Sequence, residues 1–238
     1  MRLLAVMIAG PLAACSGNAT DAASASGTGT NRSFAVADFT NVALAGSDDV
    51  SVTIAATFSV RAEGPANVLD RLKIERDGDT LKVSRKSIVG MSWGSGKRAH
   101  VFVTMPRLAK ASVSGSGDLA VDRAEGGDFK ASTAGSGNIR IGRIAGQKVT
   151  FFIAGSGDIS AQGTSTALDM SITGSGDIDA AKLKASSADA SITGSGNITA
   201  DVTGPATVSI TGSGDADLGP NAVCKTNKLG SGSVSCGK

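Results

Sequence analysis

The stretch Gly115-Ser116-Gly117-Asp118 decides how this chain is read, because it returns at a fixed interval. Gly135-Ser136-Gly137-Asn138, Gly155-Ser156-Gly157-Asp158, Gly174-Ser175-Gly176-Asp177, Gly194-Ser195-Gly196-Asn197 and Gly212-Ser213-Gly214-Asp215 repeat it. Gly230-Ser231-Gly232-Ser233 closes the series. Successive first glycines stand 20, 20, 19, 20, 18 and 18 residues apart. Such a period marks stacked copies of one supersecondary unit that cannot bury its apolar face alone.

Aligning the copies exposes columns. The residue after the phrase reads Leu119, Ile139, Ile159, Ile178, Ile198, Ala216 and Val234, and two further on stand Val121, Ile141, Ala161, Ala180, Ala200, Leu218 and Cys236. The position between is mostly polar, which is the period-two alternation of a strand with one buried face. Before the phrase the same alternation appears in Val113, Thr133, Ile153, Ile172, Ile192, Ile210 and Lys228, preceded by Ala111, Ala131, Phe151, Met170, Ala190, Val208 and Thr226. Ser112, Ser132, Ser171, Ser191 and Ser209 line up outward, as a polar ladder on one face. Equivalent strands recurring every ~20 residues lie beside one another in parallel, so the fold class is all-β, a two-sheeted parallel β-helix. Its small inward residues imply a narrow core.

Within each phrase the glycines take backbone conformations that side chains resist, and the closing Asp or Asn bonds neighbouring backbone N–H groups. A calcium-binding ladder is the sharper alternative, but this repeat length and residue pattern differ from calcium-binding nonapeptides, so turn-capping is the reading and no metal or cofactor is expected. Gly46-Ser47-Asp48-Asp49 is a degenerate first copy, 69 residues before Gly115, with more β-coil expected between them. There Leu72 to Arg76 and Leu81 to Ser84 alternate around Asp77-Gly78-Asp79, a hairpin signal.

Outside the array, Met1-Arg2, the apolar Leu3–Leu12 and Leu12-Ala13-Ala14-Cys15 read as a signal peptide whose apolar run is too short to span a bilayer. Leu-Ala-Ala-Cys there resembles a bacterial lipobox, which implies lipidation of Cys15 and, with Ser16 following, outer-membrane sorting. The expected organisation is a signal peptide over 1–14, a lipidated Cys and flexible tether over 15–32, and one solenoid domain over 33–238. Within that domain, 33–107 forms irregular coils and 108–238 regular repeats.

The 238 residues carry a formal net charge of +2, which gives no field suited to nucleic acid. Aromatics are only 3%, Tyr is absent and Gly numbers 32, a composition for thin β-structure with tight turns. Cys224 and Cys236, in an exported chain without a nearby His, read as a disulfide tying down the last coil.

The segment 88–100 breaks the regularity and gathers Trp93, Lys97, Arg98 and His100. It reads either as a binding patch, with Trp93 stacking on a sugar, or as a surface loop whose Trp folds over the core edge. Arg140, Asp179 and Asp217 share an outward column but sit in different coils, too dispersed for acid–base chemistry.

The lipobox, the Phe39 to Ile54 entry, Val103-Thr104-Met105-Pro106-Arg107-Leu108 leading into the first full phrase, and the recurring turns together resemble the putative auto-transporter adhesin, head GIN domain family over roughly 33–238. The resemblance implies a two-sheeted parallel β-helix akin to pectin lyases, no retained catalytic residues and an adhesion role. Asp48 and Ser233 depart from the phrase. The expected function is a non-catalytic, lipid-anchored envelope protein acting on a glycan or surface protein. A spacer without ligand and a polysaccharide-active enzyme are the alternatives.

Overall fold

In the computed structural model, which describes residues 21–86 and 96–237, every phrase from Gly115 onward lies directly over the one before it. The chain makes a parallel β-solenoid with about one coil per phrase. One face carries Asn41–Gly46, Lys110–Gly115, Phe129–Gly135, the later halves of Ile139–Gly155, Ile159–Gly174 and Ile178–Gly194, then Pro205–Gly212 and Val223–Gly230. The opposite face carries Asp49–Ile54, Leu119–Val121, the earlier halves of the same long strands, Ile198–Val202, Ala216–Asp217 and Val234–Ser235. The phrase joins the two faces along one edge.

The inward columns meet in register. Ala111 pairs with Ala131, then Phe151, Met170, Ala190 and Val208 follow, and Val113 leads through Thr133 to Ile153, Ile172, Ile192 and Ile210. All of these are buried. Thr133 fits an apolar column because its hydroxyl donates to the Gly137 carbonyl at 2.7 Å, which removes the cost of an unmet buried polar group. The unequal repeat lengths are absorbed away from the phrase. Register shifts fall between Ile141 and Ile144, Ser160 and Gln162, and Ala180 and Lys184, while the strands entering the phrase pair without a break.

Each phrase makes the same contacts. The Gly155 carbonyl accepts the N–H groups of Ser175 and Gly176 at 2.9 and 3.2 Å, and the pattern recurs from coil to coil. Gly155 has φ +132°, a conformation side chains rarely adopt. The second glycine is required for a different reason: a Cβ on Gly157 would lie 2.1 Å from the Gly137 carbonyl oxygen below it. Asp48 occupies this slot in the first copy, on the side of Thr80–Arg85 and His100–Met105. Its buried carboxylate accepts Arg85 Nε at 2.7 Å and the Ala99 N–H at 2.7 Å. The departure from the phrase thus places a buried carboxylate in an ion pair with the half-buried Arg85, and the backbone turn at Gly46, φ +124°, is kept.

The segment between the first two phrases is not interposed between them. Gly46 pairs directly with Gly115, and Thr80–Arg85 and His100–Met105 form a coil on the other side of Asn41–Ile54. Spatial order therefore differs from chain order. Beyond that coil the strands turn antiparallel: Leu72–Asp77 forms the expected hairpin with Thr80–Arg85, and Ser59–Glu63 lies between His100–Met105 and Asn31–Ala35. With the short helix Ala66–Leu69 they cap the N-terminal end. Where the sequence predicts a tether over 15–32, Asp21–Ala22 pairs with Leu72–Asp77 and Ser24–Ser26 with Asn31–Ala35. Those edges have unmet N–H and C=O groups, and backbone pairing demands no apolar pattern.

At the other end Val223–Gly230 is the last strand of its face. The Cys224–Cys236 disulfide, Cα atoms 6.2 Å apart, ties its start to the chain after the final phrase. Lys225 and Lys228 stand on this edge, a common guard against further strand addition. The Lys228 ammonium donates to the Gly232 carbonyl at 2.8 Å, which explains why Lys ends an inward column whose outer side no coil covers.

Candidate functional site

The closing Asp and Asn residues form a continuous ladder. Asp118 Oδ1 accepts the Asn138 N–H at 3.1 Å, Asn138 Oδ1 that of Asp158 at 2.9 Å, Asp158 Oδ1 that of Asp177 at 2.9 Å, and Asp177 Oδ1 that of Asn197 at 2.7 Å. Asn197 and Asp215 continue it upward, and Asp49 extends it down by accepting the Asp118 N–H at 3.0 Å. The two asparagines also donate their amides to the carboxylates beneath, Asn138 to Asp118 at 2.8 Å and Asn197 to Asp177 at 3.0 Å. Charge repulsion along the column is broken at those rungs. At the top, hydrogen bonds from the Ser233 hydroxyl and N–H hold the Asp215 carboxyl below the usual carboxylate range. Ser233 therefore completes the ladder although it departs from the phrase. Each of these rungs is engaged in joining one coil to the next.

Trp93 and Cys15 lie outside the described residues. Of the other loop residues, the Arg98 guanidinium reaches Asp49 at 3.1 Å. His100 begins a strand, with Nε2 2.7 Å from Ser51 Oγ and its ring stacked on Phe102 at 4.4 Å between centroids. Lys97 is exposed, and its carbonyl accepts Arg85 Nη2 at 3.0 Å. Arg140, Asp179 and Asp217 stay on separate coils; Asp179 and Asp217 accept the local N–H groups of Ala181 and Gly219.

The concave surface lies on the face that enters the phrase, and its centre is a residue the column reading passes over. The outward ladder runs Ser112, Ser132, Phe152, Ser171, Ser191 and Ser209 in unbroken register. Phe151 and Ile153 point into the core, so the alternation turns Phe152 outward, where it is 38% exposed against 0% for Phe151. In sequence, Phe151-Phe152-Ile153 looks like one apolar run, yet adding the 20-residue period to Ser132 lands on Phe152. The ring stands between two open grooves. A groove of about 390 Å³ extends from it toward the C-terminal coils past Thr150, Asp169, Ser171, Asp189 and Ser191. A second, of about 510 Å³, extends toward the N-terminal coils over Ala43, Ser84, Ser112, Ser114 and Ser132.

Charge is segregated along the same face. Lys110, Lys130, Thr150, Asp169 and Asp189 share one outward row, so the ring sits where a basic flank gives way to an acidic one. Lys148 Nζ lies 2.9 Å from Asp169 Oδ2, and that carboxylate raises the ammonium above its ordinary pKa. Hydroxyls, carboxylates, an ammonium and one aromatic ring are groups for recognition.

No functionally curated protein matches the chain. Among solved structures it is similar to a putative adhesin from Bacteroides fragilis NCTC 9343, with a TM-score of 0.81 at 22% identity, covering 89% of this chain and 98% of the other. A putative lipid binding protein from Parabacteroides distasonis ATCC 8503 superposes with a TM-score of 0.71 at 24% identity, covering 90% and 98%. A putative adhesin from Parabacteroides merdae ATCC 43184 gives 0.67 at 19% identity, covering 88% and 96%. These likenesses concern the fold, a β-solenoid of ~20 residues per coil. The model of the family described as putative auto-transporter adhesin, head GIN domain matches residues 38–222, most of the chain, and the protein belongs to that family.

Proposed function

We propose that the chain is a non-catalytic, lipid-anchored protein of the bacterial cell envelope that acts as an interaction module through the face around Phe152. The observation that carries this reading is the exposed ring midway along a serine ladder, between two grooves on a rigid stack of coils. A lone aromatic in a row otherwise made of small or polar residues contributes little to the core, because most contacts of a packed ring are missing at an exposed site. Binding surfaces, by contrast, favour such rings, which present large contact area with few rotamers to fix. The adhesin naming of the family and of its structural neighbours agrees with this direction.

Lipidation of Cys15 supplies the anchor in this account. Among the described residues no helix is long and apolar enough to cross a membrane. Since the first described strand begins at Asp21, the chain from Cys15 could reach at most ~20 Å, which keeps the N-terminal cap near the lipid and projects the later coils outward. Cys15→Ser should abolish incorporation of labelled palmitate and release the protein from the membrane fraction.

The functional test is adhesion by bacteria carrying the full chain. Loss of adhesion with Phe152→Ser, at unchanged surface level and melting temperature, is the expected result. Equal adhesion by the variant and by a deletion strain would favour a spacer role, and turnover of a polysaccharide by the wild type would favour an enzyme.

A further inference from the structure

Resting on the reading of the Phe152 face as the binding face, we infer that its ligand is a carbohydrate chain laid along the solenoid axis, with one sugar ring packed on Phe152. The two grooves meet at Phe152, which lines both, and together run across the strands from the coil carrying Ser84 to that carrying Ser209. They therefore present one row of groups per coil, repeating at the ~4.8 Å spacing of parallel strands. A ligand that fills such a track is itself a linear polymer.

The lining identifies its chemistry. A lipid chain needs an enclosing wall, but both grooves are open to solvent, and beside the apolar Phe152 ring and Ala43, Ala134 and Ala190 stands a rung-spaced row of serine hydroxyls. Ser hydroxyls both donate and accept, the Asp169 and Asp189 carboxylates accept only and the Lys82 and Lys130 ammonium groups donate only, so the partner must present donors and acceptors together. A polyol does so, and it also carries the C–H face that stacks on an aromatic ring. A polyanion such as a nucleic acid or a highly sulfated chain finds no net positive track here, because Asp169 and Asp189 stand against Lys130 and Lys82 along the grooves and Lys148 is held on Asp169. Open grooves at both ends of the ring suit an internal segment of a chain, since neither end is walled.

The experiment screens the purified full chain on an array of bacterial and host polysaccharides, then titrates the strongest binder by calorimetry against wild type, Phe152→Ser and Phe152→Tyr. Phe152→Ser supplies the residue that five other coils carry in this column, so the fold is retained, and an unchanged melting temperature verifies it. The expected result is binding weakened by roughly three- to tenfold by Phe152→Ser and preserved by Phe152→Tyr, as the loss of one stacking platform implies. Asp169→Asn, which keeps an acceptor but loses the charge, should weaken it less. Phosphatidylethanolamine–phosphatidylglycerol vesicles provide the second arm. No polysaccharide bound, or binding indifferent to Phe152→Ser, overturns the inference. If cell adhesion still depends on Phe152 while no polysaccharide binds, the face stands and the carbohydrate assignment fails; vesicle binding lost on Phe152→Ser would replace the sugar with lipid.

Discussion

Replacing Gly157 by alanine tests the stacking of the phrases most severely for one methyl group. The backbone there is not in the left-handed region, so the cost is purely one of space. The new Cβ would lie 2.1 Å from the Gly137 oxygen, 3.0 Å from its carbon and 3.1 Å from its nitrogen, all backbone atoms that cannot rotate away. Restoring an ordinary carbon–oxygen contact of ~3.3 Å requires the coils to part by ~1.2 Å at the turn, about a quarter of their ~4.8 Å spacing. Three hydrogen bonds cross this gap: Ser156 N–H and Gly157 N–H to the Gly135 carbonyl, at 2.8 and 3.1 Å, and Asp158 N–H to Asn138 Oδ1 at 2.9 Å. Stretched by that amount they are lost, at ~1 kcal/mol each, so the variant should be destabilised by ~3 kcal/mol. For a chain of this size that is a fall of roughly 6–12 °C in Tm. Differential scanning calorimetry of wild type, Gly157→Ala and Ser156→Ala provides the reading, with the exposed Ser156 expected to stay within ~0.5 kcal/mol. A Gly157→Ala protein that melts with the wild type would refute carbonyl-over-glycine stacking.

Three further outcomes are expected. Phe151→Ala should cost about 3–5 kcal/mol by chemical denaturation, since that ring is fully buried, while its neighbour Phe152→Ser should leave the midpoint nearly unchanged. Arg85→Ala strands the buried Asp48 carboxylate in the cap with, among the described residues, only the Ala99 N–H as partner, at ~3 kcal/mol, and the additional Asp48→Gly change should recover part of it; a single Arg85→Ala effect near zero would contradict the ion pair. Because the folded-state pKa of Asp215 is depressed, its contribution is complete above the unfolded carboxylate value of ~3.9 and is lost as pH falls through the lower folded value. Asp215→Asn keeps the acceptor and should make the last coil, followed by exchange of the Ser233 amide, less sensitive to acid in that window.

Much of the architecture is legible because the chain repeats. A period near 20 and two alternating columns on either side of the phrase determine which residues face inward, and Leu119 through Val234 pair as the alignment orders them. The hairpin at Gly78 and the Cys224–Cys236 bond carry equally local signals. Two features do not. The placement of Asn41–Ile54 between the later Thr80–Met105 coil and Lys110–Val121 depends on which phrase finds which partner, a long-range choice without a local pattern. The pairing of Asp21–Ala22 and Ser24–Ser26 uses backbone groups alone, so a tether-like composition conceals it. Phe152 lay within reach of the column arithmetic, but an aromatic beside two core residues looks like core until its parity is counted. Attention falls instead on Trp93, Lys97, Arg98 and His100, where residue types are unusual but Arg98 and His100 already have partners within the chain.

The most direct test of the binding-face account is residue-resolved covalent labelling of lysines and carboxylates on the full chain, free and bound to the cells or polysaccharide it adheres to. Protection should centre on Lys130, Lys148, Asp169 and Asp189 around Phe152, and leave Asp122, Asp179 and Lys225 unchanged. Protection confined to Lys97 and its neighbours, or to the Val223–Gly230 edge, with the Phe152 face labelled equally in both states, would contradict it.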